Sequence, residues 1–406
     1  MNFTLPISSP QTLAIKLNAS GESSIRKQHP WIFSESIQKI NKEGKAGDIA
    51  VIFSVKENKP IGIGLYDPFS PIRIKMIHFG EGINIDDAFF KEKIHRAFTL
   101  RKPLLETQTN SYRLLFGEND GFPGLIADVY ATTLVIKIYT PIWWPYFNSI
   151  LKFLIQVSNC NCAILRMGRN LQKVYPKTPL YDGAVLYGTL KNETIYFYEH
   201  GIQFSANVIK GHKTGYFLDH RHNRKRVGEL SKGKKVLDIF AYAGGFSVHA
   251  LANGAMEVTS LDVSEQALQL AIENGKLNSH KGIHKTITGD AFVIMKQLFK
   301  EGKIFDVVII DPPSFAKSAK EIVIAKKKYA LLAQLGMQLT APKGILVLAS
   351  CSSRVTAQDF FEINAKTMQD SGRKFQLLEK TFHDIDHPIA FPEGAYLKTG
   401  YYQLDK

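Results

Sequence analysis

The stretch from Lys235 to Asp262, KVLDIFAYAGGFSVHALANGAMEVTSLD, constrains this chain more than any other, because it reads as strand, tight loop, helix and strand in immediate succession. Val236 to Phe240 is a short apolar run of the kind shown by a parallel strand buried on both faces. Ala243, Gly244 and Gly245 break it, since residues without bulky side chains let the backbone turn sharply and approach a ligand closely. Phe246 to Asn253 has helical character, and Gly254 stands where a helix end favours a left-handed residue. Glu257 to Leu261 is a second strand, ended by Asp262. A carboxylate roughly twenty residues beyond such glycines is where nucleotide-binding sheets grip ribose hydroxyls. The expected class is therefore α/β, with a mostly parallel sheet whose ligands bind beyond the carboxyl ends of the strands.

The loop also restricts the ligand. It has no Lys-Ser/Thr pair for a nucleoside triphosphate, and its glycines are adjacent rather than spread as a dinucleotide pyrophosphate requires. A nicotinamide enzyme is thereby disfavoured. S-adenosylmethionine carries adenosine, a sulfonium and an amino-acid end but no phosphate, so a looser loop suffices. Its candidate contacts are Asp238 and Phe240 on the entering strand, Ala243, Gly244 and Gly245 in the loop, Asp262, and Asp290 after a later strand, KTITGDAF, where a carboxylate can accept from an adenine amino group.

At 406 residues the chain accommodates two or three domains. Its net charge of +14 is spread along the sequence rather than held in one tail, which favours a polyanionic partner, and nucleic acid in particular beside a nucleotide fold. Three cysteines, Cys160, Cys162 and Cys351, make neither a disulfide framework nor a zinc site, and the histidines show no ligand spacing, so no metal is expected. Without an apolar run long enough for a membrane, the expectation is a cytoplasmic protein with no membrane partner.

In chain order, residues 1–80 read as a small β-rich module with strands TLAIKL, DIAVIFSV, PIGIGLYD and PIRIKMI. Between the first two strands, Arg26, Lys27 and His29 form a basic cluster beside Trp31, an aromatic read as exposed, which suits stacking on single-stranded or looped RNA; Trp31 as a plain core residue is the competing reading. Residues 81–205 read as an α+β segment, with a long helix over 84–109 and Cys160 and Cys162 as packing. Residues 206–406 carry the nucleotide fold. Lys210 to Lys235 is strongly basic, read as a solvated face beside the site that contacts phosphate.

The apolar strand FDVVIIDPPSF ends in Asp311-Pro312-Pro313-Ser314-Phe315, and GILVLASCSS delivers Cys351 at its far end. The prolines remove donors and fix the backbone, making a ledge for a flat base. If the two strands are neighbours, Asp311 and Cys351 start about 5 Å apart. A thiol beside a base pocket suggests covalent catalysis: adding a thiolate to cytosine C6 turns C5 into a nucleophile able to take a methyl group, after which a base removes the C5 proton. The cations around the site are expected to lower the thiol pKa. Two other readings stay open: a guanine-N7 or exocyclic-amine methyltransferase in which Cys351 is packing, and a non-catalytic RNA-binding assembly factor.

Taken together, RKQHPWIFS, SYRLLFGENDGFPGL, EHGIQFSANVIKGHKTGYFLDHRHNR, VLDIFAYAGGFSV, FDVVIIDPPSF and ASCSS resemble the bacterial large-subunit ribosomal RNA methyltransferase I family over nearly the whole chain. The resemblance implies an N-terminal PUA domain, a central RNA-binding-type domain and a class I methyltransferase sheet with one reversed strand. It implies transfer of methyl from S-adenosylmethionine to cytosine C5 in 23S ribosomal RNA, as naked RNA or a precursor particle, with a homodimer admitted. It casts Cys351 as nucleophile, Asp311 with Pro312, Pro313 and Phe315 as the base-handling segment, and Lys213, Thr214, Phe217 and Asp219 as the run that closes over the cofactor.

Overall fold

The computed structural model describes residues 9–174 and 180–405. The chain divides into two compact units, one of Met1–Tyr198, Ser205–Leu218 and Ile385–Gly394, the other of Glu199–Phe204, Asp219–Asp384 and Ala395–Lys406.

In the first unit, a six-stranded sheet runs in the order Trp31–Phe33, Ile72–Phe79, Pro60–Tyr66, Ile49–Phe53, Thr12–Leu17, Ile37–Ile40. Its four longest strands overlap the four segments read as strands from the sequence. The intervening segment forms a helix, Ala19–Arg26, whose Asn18 side chain caps the Gly21 amide. A five-stranded sheet of Val185–Gly188, Cys162–Met167, Thr133–Ile138, Leu125–Tyr130 and Ser111–Phe116 follows. Two of its three interior strands, Thr133–Ile138 and Cys162–Met167, are parallel, joined through the helix Phe147–Ser158. The predicted long helix is Asp87–Leu105, capped by Asp86 on the Phe89 amide. Cys160 and Cys162 are buried, as packing residues should be.

The second unit is a seven-stranded sheet in the order Ile283–Thr288, Glu257–Asp262, Lys235–Ile239, Phe305–Ile310, Thr340–Ser350, Lys398–Leu404, Phe375–Thr381. Among the described residues, six of these strands run one way and Lys398–Leu404, antiparallel to both its neighbours, runs the other. Side chains alternate across the pleat, so Leu237, Ile239, Val308, Ile310, Leu346 and Leu348 enter one apolar core, while Val236, Val307, Ile309 and Val347 enter another. The first core is closed by the helices Ala291–Lys300, Ile322–Leu339 and Ala357–Asp370, the second by Arg221–Leu230 and Gly245–Ala252. That double cover is why the strands read as continuous apolar runs. Each fully buried Val, Leu or Ile contributes about 1.5–3 kcal/mol. Among the described residues no helix is long and apolar enough to cross a membrane.

Candidate active site

The loop after Lys235–Ile239 is held in a shape few sequences tolerate. Phe240 and Tyr242 have φ of 65° and 48°, and Gly244 has φ of 75°. A Cβ at Gly244 would lie 2.7 Å from the Ala271 Cβ and 3.0 Å from its Cα, so glycine is required both by conformation and by the neighbouring helix Glu265–Lys276. The loop is pinned from several sides: the Ala241 amide donates to the Leu261 carbonyl at 3.0 Å, and the Tyr242 amide to Asp262 Oδ2 at 2.9 Å. The Ala243 carbonyl accepts from Asn274 Nδ2 at 3.0 Å. Gly245 begins the next helix.

Three of the predicted cofactor acids end up at strand ends of this sheet, each in a different state. Asp262 is partly exposed and accepts from the Tyr242 and Ser264 amides. Asp290 is exposed and caps the helix Ala291–Lys300 on the Val293 amide. Asp238 is buried, with Oδ2 accepting from both the amide and hydroxyl of Ser247, at 3.1 and 2.6 Å. Its Oδ1 is buried with no partner among the described residues. Burial, then the carboxylates of Asp311 and Asp262, push Asp238 up to about 7, against the Ser247 hydrogen bonds. A cationic group placed at Oδ1 would complete it. The amino-acid end of S-adenosylmethionine carries such a group, and the glycine-dependent loop allows a ligand close to the backbone, so these residues fit the cofactor expected from the sequence.

Lys213, Thr214 and Phe217 belong to the first unit, whereas Asp219 belongs to the second. Thr214 is buried, donating to Asp128 Oδ2 at 2.6 Å and sharing a hydrogen bond with the Tyr130 hydroxyl. Lys213 is exposed, its carbonyl taken by Lys137 Nζ. Phe217 is exposed. Asp219 Oδ2 accepts from the Tyr396 hydroxyl at 2.8 Å.

The strands ending at Asp311 and Cys351 are indeed neighbours, Ile310 pairing with Leu348. Cys351 Sγ donates to the Pro312 carbonyl at 3.6 Å. Pro312 is buried and Pro313 exposed, so only the second proline offers a surface. Phe315 is half-buried, edge-on to Tyr329, with Lys328 Nζ 4.9 Å from its ring centre.

The electrostatics of the thiol are opposite to the sequence-based expectation. Burial first, then the carboxylates of Asp311 and Asp219, raise Cys351 to about 12, and Lys398 pulls the other way. The basic run at Lys210 to Lys235 does not bathe the sulfur. Nor is it all a solvated face: Arg221 and Arg224 are buried, Arg221 against Asp384 at 3.0 Å and Arg224 on Glu199. Trp31 likewise departs from its reading as exposed. It is half-buried against His29 and Phe391, and its indole N–H donates to Glu118 at 3.1 Å. Arg26 is paired with Glu22 at 2.7 Å.

Two residues escaped the sequence reading. His220 is buried with Nε2 3.3 Å from Asp311 Oδ1. Although burial opposes its charge, the Asp311 carboxylate raises its pKa. Lys398 is buried beside the segment after Cys351. The signal for Lys398 was a lone lysine opening an interior strand; His220 had none beyond adjacency to Asp219.

A family model described as S-adenosylmethionine-dependent methyltransferase matches residues 113–393, and one described as PUA-like domain matches residues 15–79. The ribosomal RNA large subunit methyltransferase of Deinococcus radiodurans is 40% identical, over 99% of this chain and 100% of that protein. The ribosomal RNA large subunit methyltransferase I of Shewanella frigidimarina is 35% identical, over 95% and 98%. A solved structure from Streptococcus mutans, assigned to the SAM-dependent methyltransferases, shares the fold with a TM-score of 0.80 at 22% identity, covering 96% of this chain and 99% of that one.

Proposed function

This chain belongs to the S-adenosylmethionine-dependent methyltransferase family, and from that premise we propose that it methylates C5 of a cytosine in large-subunit ribosomal RNA through a covalent bond from Cys351. S-adenosylmethionine is the cofactor, and when bound it supplies an electrophilic methyl group on a sulfonium. The substrate class is taken from relatives whose names specify ribosomal RNA of the large subunit and which cover 99% and 95% of this chain. The observation that carries the chemistry is the placement of Cys351 Sγ over the Pro312 carbonyl, beside the carboxylate of Asp311 on the adjacent strand end.

In this reading the loop from Phe240 to Gly245, with Asp238, Asp262 and Asp290, holds the cofactor. Pro313 and Phe315 border the target base. Sγ bonds to C6 as the thiol proton ends on N3 of the ring, which leaves C5 an electron-rich enamine carbon. After C5 has gained its methyl group, its proton passes to a base, the Sγ–C6 bond breaks and the N3 proton returns to the sulfur. Asp311, partly exposed and ion-paired to His220, is the proton acceptor we assign. Because the thiol of the free protein sits near 12, proton removal has to coincide with substrate entry rather than precede it. The protonated thiol also favours one rival reading, a purine or exocyclic-amine methyltransferase in which Cys351 only packs.

The test is transfer of labelled methyl to undermethylated ribosomal RNA by wild type and Cys351→Ala in parallel, with nucleoside mapping. The expected product is 5-methylcytosine, with Cys351→Ala inactive yet still binding cofactor. Full activity in that variant, or a methylated purine, overturns the reading.

A further inference from the structure

We infer that Lys398 is a positioning residue for the Cys351 nucleophile: its buried ammonium clamps the segment that follows the cysteine and sets a positive charge beside the sulfur. The inference rests on reading Cys351 as the nucleophile. Lys398 opens the one reversed strand of the sheet, in register with Ser350, and is 1% exposed. Its Nζ donates to the carbonyls of Ser352, Val355, at 2.5 Å, and Tyr396, at 3.1 Å. An ammonium has three donors and no acceptor, so its whole capacity is spent. Two of the acceptors lie within four residues after Cys351, in a segment without regular secondary structure. The third anchors that segment to the chain entering the reversed strand. Remove the ammonium and the Ser352 and Val355 carbonyls lose the donor that holds them, which frees the cysteine's backbone to drift.

The charge matters as well as the clamp. The largest charge effects on the sulfur come from Asp311 beyond the adjacent strand, Asp219 ahead of the helix Arg221–Leu230, and Lys398. Tyr329, from the helix Ile322–Leu339, also faces it as a neutral phenol whose hydroxyl accepts from Ser350 Oγ at 2.9 Å. His220 stands behind Asp311 and is engaged with it. The two carboxylates oppose the thiolate and the ammonium favours it. Lys398 itself faces Asp359, which supports its charge, and Cys351, which does so once it is a thiolate, while burial lowers it to about 8. The thiolate is favoured as pH rises, but the supporting charge is lost once pH passes the lysine's own value. Turnover should therefore fall on the alkaline side near pH 8, and that limb belongs to Lys398.

Three variants test this, with methyl transfer measured across pH and Cys351 alkylation by iodoacetamide followed by peptide mass spectrometry. Lys398→Met is expected to lower kcat by about 100-fold and Cys351 alkylation at pH 8 by about tenfold, with the KM for RNA and cofactor Kd little changed. Lys398→Arg keeps a charge that does not titrate in this range, so it should retain part of the activity and lose the alkaline limb. A purely structural lysine would leave that limb where it is in Lys398→Arg, and this result overturns the inference, as would wild-type alkylation in Lys398→Met. Cys351→Ala separates the two levels. If it remains active, the covalent reading fails; if it is inactive while both lysine variants keep the wild-type pH profile, the Lys398 inference fails alone.

Discussion

Two clusters of buried charge lie in the second unit, and they are built to opposite ends. Around Glu199, the carboxylate receives the Arg224 guanidinium at 2.7 and 2.6 Å and His249 Nε2 at 2.9 Å. Burial opposes its ionisation, yet the Arg224 charge holds it well below the usual carboxylate range. Around Cys351, two carboxylates face a thiol, one lysine opposes them, and the buried Nε2 of His220 makes no well-formed hydrogen bond. In the first cluster the ionised pair is matched, Glu199 against Arg224, with a neutral His249 whose Nδ1 is left buried without a partner among the described residues. The second leaves a proton on a group whose proposed task is to lose it. Buried charge with complete partners specifies a structure, while buried charge left mismatched at a strand end is where protons are moved.

The comparison breaks most readily at the matched cluster. Glu199→Gln leaves the Arg224 guanidinium buried without its countercharge, and we expect a loss of about 3–5 kcal/mol of stability in denaturant unfolding. Methyl transfer per folded molecule should hardly change. If activity collapsed while stability held, the division between the clusters would be wrong. The mismatched cluster should respond in the opposite way: Asp311→Asn is expected to lower kcat by roughly 100- to 10,000-fold, the range for losing a general base, while unfolding stability moves by less than about 1 kcal/mol.

Asp238 sharpens the contrast because it is mismatched only until a ligand arrives. Its pKa near 7 in the free protein falls when a cationic group meets the orphaned oxygen, so binding releases a proton. Affinity for S-adenosylmethionine should then rise with pH up to about 7 and level off, weakening by up to tenfold for each unit below. Calorimetric titration at several pH values reads this directly, and Asp238→Asn should flatten the profile. The smallest effect belongs to an exposed pair. Arg26 and Glu22 meet at 2.7 Å with the arginine side chain about half exposed, so Arg26→Ala should cost under about 0.5 kcal/mol. A larger change in thermal unfolding would mean that exposure is a poor guide here.

How much of this was legible in the sequence follows the range of the interactions. The strands of the seven-stranded sheet announce themselves because both faces are covered, and the approach of Asp311 to Cys351 follows from adjacent strands ending at the same edge. The tight loop is legible from Gly244, where no Cβ fits. What the sequence hides is non-local. Arg224 sits in a run of cations that looks solvated until Glu199 is placed against it. Trp31 looks exposed until Phe391, near the other end of the chain, packs on it. The thiol's direction of shift is hidden for the same reason: the cations are numerous in the sequence, but the largest charge effects on the sulfur come from the carboxylates of Asp311 and Asp219, with Lys398 against them.

The most direct test of the account is to trap the proposed bond. Undermethylated large-subunit ribosomal RNA carrying 5-fluorocytosine has no C5 proton to lose, so the adduct cannot resolve after C5 is methylated. With S-adenosylmethionine present, the wild-type protein is predicted to remain covalently attached to the RNA through Cys351, and Cys351→Ala to remain free. Turnover of unmodified RNA with no adduct on the fluorinated one would contradict the covalent mechanism.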